Sequence, residues 1–126
     1  MNRTWDEDAD VIVVGFGYAG AVTAIEAHDA GARVLMIEKM PDPGGISVCS
    51  AGGLRIASNA EDAFAYLQAT NAGTTPDPPL RALARGMTEL PAYVERLADA
   101  TGTGAVVGVR AAEANYPFPG YRSFGF

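Results

Sequence analysis

A chain of 126 residues with 48% apolar side chains is long enough for one domain of ordinary size with a core of its own. Nine basic residues against fifteen acidic ones give a net charge of −6, and no basic run could follow a phosphate backbone, so no nucleic-acid partner is expected. No apolar stretch approaches the roughly eighteen residues of a membrane span, and the acidic start MNRTWDEDAD does not suit a signal peptide, which makes the expected compartment the cytoplasm.

Residues 1–9 are a polar leader in which Trp5 is the only anchor, expected to pack on the edge of the first strand. A continuous apolar run follows at Val11 to Val14, the pattern of a parallel strand buried on both faces. Gly15, Gly17 and Gly20 then make a G-x-G-x-x-G turn. The three glycines have separate tasks: a tight turn, close approach of backbone to a pyrophosphate, and close packing of helix on strand. A helix is predicted from about Tyr18 to Ala30, with small apolar positions Ala21, Val22, Ala24, Ile25 and Ala27 and a stop at Gly31. Arg33 to Ile37 read as the second strand. Glu38 closes it eighteen positions beyond Gly20, where an acid can accept both ribose hydroxyls of an adenosine and would repel a 2′-phosphate. Strand, glycine turn, small-residue helix, second strand and terminal acid fall in register within thirty residues, so dinucleotide binding is the expected function. If the glycines served packing alone, Glu38 would be an ordinary solvated charge.

The loop MPDPGG, from Met40 to Gly45, is stiffened by two prolines and opened by two glycines, and the chain here is expected to touch the cofactor. ISVCSAGGLRIA, from Ile46 to Ala57, mixes small residues with a second glycine pair. It reads equally as a stretch lying flat against a planar group such as an isoalloxazine and as a tight turn into a helix. Cys49, the only cysteine, excludes an internal disulfide and a cysteine-rich metal site, and is expected to be a small buried residue. Asn59 or Ser58 can cap a helix with Glu61 and Asp62 in its first turn and Ala63, Phe64, Tyr66 and Leu67 on its apolar face, ending near Gly73. After the loop TTPDPP, a second helix places Leu80, Leu83, Ala84 and Met87 on one face. Pro91 should kink or restart it before Tyr93, Val94, Leu97 and Ala98. These helices are assigned to packing. Gly102 and Gly104 end the second helix, and Ala105 to Val109 is a weak strand interrupted by Gly108. His28 has no second ligand nearby in sequence and is not expected to bind metal. No hydrolase constellation is visible.

The motifs DVIVVGFGYAG, IEK and PGGISVCSAGG resemble the N-terminal part of the flavoproteins related to fumarate reductase and succinate dehydrogenase, a group that includes the 3-ketosteroid 1-dehydrogenases. The likeness covers nearly the whole chain. It implies an α/β, Rossmann-like FAD-binding fold, incomplete here, with a parallel sheet and flanking helices. Its divisions would be a leader 1–9, an FAD-binding βαβ unit with a flavin-contacting glycine loop at 10–57, a helical segment 58–104 and a tail 105–126. FAD then becomes likelier than NAD. The resemblance puts Gly15, Gly17, Ala19 and Gly20 on the pyrophosphate turn, Glu38 on the ribose with Lys39 beside it, and Gly45, Ile46, Ser47, Gly52 and Gly53 along the flavin side. Succinate dehydrogenases carry a histidine for a covalent flavin link where Ile46 stands, so the FAD should be noncovalent.

The tail Tyr116-Pro117-Phe118-Pro119-Gly120 is similar to a tyrosine-proline stretch near the steroid in 3-ketosteroid dehydrogenases, which makes Tyr116 the candidate near the chemistry. The other reading is an aromatic anchor for the tail. Family members run to several hundred residues, their later parts supplying further strands, the substrate cap and most catalytic groups. The expected function is therefore that of the FAD-holding part or small subunit of an oxidoreductase moving hydride at a carbon next to a carbonyl. The substrate would be steroid-like or a small unsaturated acid, and a larger partner chain would complete the fold, meeting Tyr121, Phe124 and Phe126 at the aromatic end. Alternatives are a non-catalytic FAD- or NAD-binding module, and an ordinary NAD dehydrogenase, which leaves the second glycine motif without a purpose.

Overall fold

The computed structural model describes residues 4–104 and 116–125. The chain divides into two compact units, Met1–Gly52 and Gly53–Phe126.

In the first unit, strand β1 (Val11–Val14) pairs in parallel with β2 (Val34–Ile37), in the register Val11 to Val34 and Val14 to Ile37. Helix α1 (Tyr18–Asp29) crosses between them and packs on both strands. It stops where Gly31 turns left-handed at φ +89°, a conformation that costs glycine nothing and releases the chain toward β2. At the amino ends of the strands Asp10 ties the pair together. Its carboxylate accepts the Arg33 backbone N–H at 2.9 Å and the guanidinium at 3.1 Å, and Asp8 meets the same guanidinium at 3.3 Å. All three side chains are exposed, so these ion pairs fix register more than they stabilise.

The expectation that β1 is covered on both faces is not met. Val13, beneath α1, is 6% exposed, whereas Ile12 and Val14 are 60% and 78% exposed. One helix covers one face of a two-stranded sheet, and no described residue covers the other. Trp5 is likewise exposed and anchors nothing on the strand edge. After β2 the chain forms a short 3-10 helix, Gly45–Cys49, entered through Gly44 at φ +117°. Cys49 lies on its exposed surface, contrary to the expected burial, because a single 3-10 turn at the rim of a small unit has no interior side.

The second unit is built on α2 (Ala60–Thr70) and α3 (Asp77–Thr101), which pack on each other. Asn59 caps α2 by accepting the Asp62 N–H at 2.9 Å. Helix α3 begins earlier than expected and takes Pro78 and Pro79 into its first turn, where backbone N–H groups have no partner in the helix and proline loses nothing. It then runs unbroken through Pro91, which forgoes one backbone hydrogen bond within a twenty-five-residue helix. Gly102 ends it at φ +63°. The core joins Ala57, Ala63, Phe64, Tyr66, Leu80, Ala84 and Phe124, with Met87 partly buried against it. Leu83, expected on that face, is exposed. It sits one position before Ala84, at the edge of a stripe that Leu80, Ala84 and Met87 already fill.

The tail returns to this core. Strand β3 (Ile56–Ala57) pairs antiparallel with β4 (Phe124–Gly125), which the sequence did not suggest. Ser123 fastens the corner: its carbonyl accepts the Ser58 N–H at 2.8 Å and its hydroxyl accepts the Asn59 N–H at 3.0 Å. Phe124, expected at a partner surface, is 5% exposed and packs its ring 4.9 Å from that of Tyr66. The weak strand expected at Ala105 to Val109 and the side chain of Phe126 lie outside the described residues.

Candidate functional site

At the carboxyl ends of β1 and β2 a groove of about 540 Å³ is lined by Val14, Gly15, Phe16, Gly17, Ile37, Glu38, Lys39, Met40 and Gly45. Open α/β sheets take ligands at this end, because the strand termini and the following helix N-terminus converge there.

The glycine turn makes the groove. Gly15 donates its N–H to Ile37 O at 2.8 Å and sits at φ +100°, which turns the chain sharply off β1. Gly20 lies in the first turn of α1 with no room for a side chain: a Cβ there would overlap the Gly15 carbonyl and reach 3.5 Å from Val13 Cγ1. Its absence lets α1 lie close on β1, as the spacing predicts. Gly17 caps the helix in extended conformation. A Cβ at Gly17 would stand 3.3 Å from Ser47 Oγ and 3.6 Å from Gly44 O. Space beside the second glycine is thus taken up by the Gly44 to Ser47 backbone and hydroxyl, an approach within the chain that the spacing did not reveal. Among the described residues, none accepts the N–H of Ala19 or Gly20. These amides, at the positive end of the α1 dipole, suit a pyrophosphate.

Glu38 is held rather than loose. Its Oε2 accepts the Phe16 N–H at 2.7 Å and its Oε1 accepts the Met40 N–H at 2.9 Å. Those donors, Met40 first and then Phe16, keep the carboxyl below the usual glutamate range, so it is ionised at neutral pH. A carboxylate offers about four acceptor positions. Two are filled, and each oxygen retains one for a ribose hydroxyl. An oriented anion with spare acceptors beside a glycine turn and unpaired helix amides fits the ADP half of a dinucleotide.

The second glycine stretch is fastened to the same helix end. Gly44 donates its N–H to Phe16 O at 2.7 Å, and the Tyr18 N–H donates to Ser47 Oγ at 3.0 Å. The Tyr18 hydroxyl lies 3.3 Å from Ser50 Oγ, which also accepts the Gly52 N–H at 3.2 Å. Ile46 is 88% exposed.

Of the residues expected from sequence, the groove brings together Gly15, Gly17, Glu38, Lys39 and Gly45. Ala19 and Gly20 lie on the helix turn beside it, and Ser47 and Gly52 belong to the fastened loop. Gly53 and Tyr116 fall in the second unit, where Tyr116 is exposed with its ring 6.4 Å from that of Phe118. Phe16, Tyr18 and Ser50 were not anticipated, nor was the bond from Met40 to Glu38 within a loop expected only to touch the cofactor. Phe16 and Met40 act through backbone N–H groups, which carry no signature of residue type, and the Tyr18 to Ser50 contact spans 32 positions with no local pattern to announce it.

The sequence profile of the FAD binding domain family matches residues 10–116. Among curated proteins, the NADH:fumarate oxidoreductase of Klebsiella pneumoniae (strain 342) is 52% identical over 48 residues, 38% of this chain and 5% of its own length. The 3-oxo-5-alpha-steroid 4-dehydrogenase of Comamonas testosteroni is 54% identical over 48 residues, 38% of this chain and 9% of its own length. Among solved structures, the 3-ketosteroid delta1-dehydrogenase from Sterolibacterium denitrificans in complex with 1,4-androstadiene-3,17-dione aligns with a TM-score of 0.72 at 29% identity, over 93% of this chain and 22% of that one. The chain thus spans only a small part of the proteins it resembles.

Proposed function

Since the chain belongs to the FAD binding domain family, we propose that it is the FAD-holding part of a flavin-dependent oxidoreductase, its groove taking the ADP half of a noncovalently bound cofactor. The observation that carries this is the Glu38 carboxylate, ionised and aimed by the Phe16 and Met40 amides, with acceptor positions left for the ribose. The Ala19 and Gly20 amides take the pyrophosphate, and the loop from Gly45 through Gly53 follows the flavin side. Ile46 has no nucleophilic atom with which to bond a flavin, which supports noncovalent retention.

The bound flavin supplies hydride transfer; the chain supplies orientation and electrostatics. Fumarate and ketosteroid enzymes among the relatives support a substrate whose reacting carbon neighbours a carbonyl, a steroid-like ketone or an unsaturated acid. Tyr116 is the residue of this chain assigned to proton handling at that substrate. A tail anchor would be buried, and Tyr116 is exposed.

The chain acts together with a larger polypeptide that completes the sheet and brings the remaining catalytic groups. The uncovered Ile12 and Val14 on β1 support this. The visible spectrum of natively purified material tests the cofactor assignment. A yellow preparation that bleaches with a reductant, reoxidises with an acceptor and releases FAD on denaturation is expected. A colourless preparation that takes up NAD and no FAD would overturn it.

A further inference from the structure

The strongest feature that this reading leaves unexplained is the side chain of Tyr18, the first residue of α1. A large aromatic at this position is not required by the glycine turn, and its ring is mostly exposed, so it does not serve the core. Its two ends make two contacts with one loop. The backbone N–H donates to Ser47 Oγ at 3.0 Å, and the hydroxyl meets Ser50 Oγ at 3.3 Å. Ser50 Oγ in turn accepts the Gly52 N–H at 3.2 Å, at a glycine whose φ of +75° redirects the chain. One residue thus spans from the amides at the start of α1 to the backbone at Gly52.

We propose that Tyr18 is a positioning residue whose hydroxyl, through Ser50, sets the distance between the helix end that holds the pyrophosphate and the loop that follows the flavin. This rests on the FAD assignment above. The hydrogen-bond chemistry is consistent: a serine oxygen has two acceptor positions and one donor, so Ser50 can take the Gly52 N–H and still bond the tyrosine hydroxyl. The Tyr18 backbone bond to Ser47 survives any substitution of the side chain, so removing the hydroxyl unties the Ser50 side chain, and the Gly52 N–H that it accepts, from the helix end and leaves the pyrophosphate amides in place. The latch therefore acts on the flavin half of the cofactor and not on the adenosine half.

The test compares FAD with ADP by titration calorimetry on natively purified protein from which bound flavin has been removed, for wild type, Tyr18→Phe, Ser50→Ala and the double variant. Tyr18→Phe should weaken FAD by about fivefold, the effect of one net hydrogen bond, and leave ADP unchanged. Ser50→Ala should weaken FAD at least as much, because it also removes the acceptor of the Gly52 N–H, and the double variant should be no worse than Ser50→Ala alone, because the Tyr18 hydroxyl acts only through Ser50. Melting temperatures of the variants control for general loss of structure, which would lower both affinities together. Equal losses for FAD and ADP, no loss for either, or additive effects in the double variant would each overturn the latch while leaving the FAD assignment standing. Wild-type protein that binds neither nucleotide would overturn that assignment and the latch with it.

Discussion

The Glu38 carboxylate accepts the Phe16 backbone N–H at 2.7 Å, across 22 positions of sequence. The bond ties the end of β2 to the turn that leaves β1, and it points the acid along the groove before any ligand arrives. Substituting Glu38 therefore removes a ribose acceptor and also unpairs the turn.

For Glu38→Arg, the expected outcome is a loss of FAD affinity of about tenfold to a hundredfold, from one charged hydrogen bond and a reversed charge. Flavin retained after gel filtration measures it. Full retention after dilution would show that the ribose is held elsewhere.

The pH dependence follows from the same bonds. Two amides lower the folded-state value of Glu38 beneath its ordinary one, so its contribution to stability is complete above the ordinary glutamate value and is lost as pH falls through the lower folded value. Wild type should thus melt higher than Glu38→Gln at neutral pH, with the gap closing only in acid. A gap that stayed constant down to full protonation would contradict the assigned bonds.

The second and third glycine contacts predict an order of severity. Gly20→Ala forces a methyl onto the Gly15 carbonyl, an overpacking that costs about 1–3 kcal/mol and lifts α1 off β1. Gly17→Ala needs only a small shift of the Ser47 hydroxyl, whereas Gly17→Val has branches that cannot be accommodated and should abolish cofactor binding. Flavin content should fall in the order wild type, Gly17→Ala, Gly20→Ala. A Gly20→Ala protein with normal flavin and melting temperature would refute the close approach.

Phe124 belongs to the core of the second unit, so Phe124→Ala should destabilise that unit by about 3–5 kcal/mol. Denaturant unfolding followed by circular dichroism of α2 and α3 reads it. An effect below about 1 kcal/mol would mean that the tail does not pack on Tyr66 in solution.

Natively expressed protein should elute with a larger flavoprotein-like chain, in a complex burying more than roughly 2,000 Å². Size-exclusion chromatography with multi-angle scattering distinguishes this from a 13.1 kDa monomer. A soluble monomer that held FAD and turned over substrate unaided would exclude the partner.

The sequence by itself determined the elements and their order wherever the cause is local. Gly15, Gly31 and Gly102 take left-handed backbone at the turn and helix ends predicted for them, and Asn59 caps α2, because backbone freedom and capping act within a few residues. The family motifs, too, are contiguous strings and were legible as such. Tertiary structure alone decided what depends on distant neighbours. Apolar composition did not say that Val13 would be covered while Val14 stayed open, because coverage depends on which face α1 crosses. It did not show that Phe124 would pair beside Ala57 and bury itself within the chain, nor that Phe16 and Met40 would supply the amides that orient Glu38. Such contacts join groups that every residue carries or that lie tens of positions apart, and only the closed chain brings them within hydrogen-bonding reach.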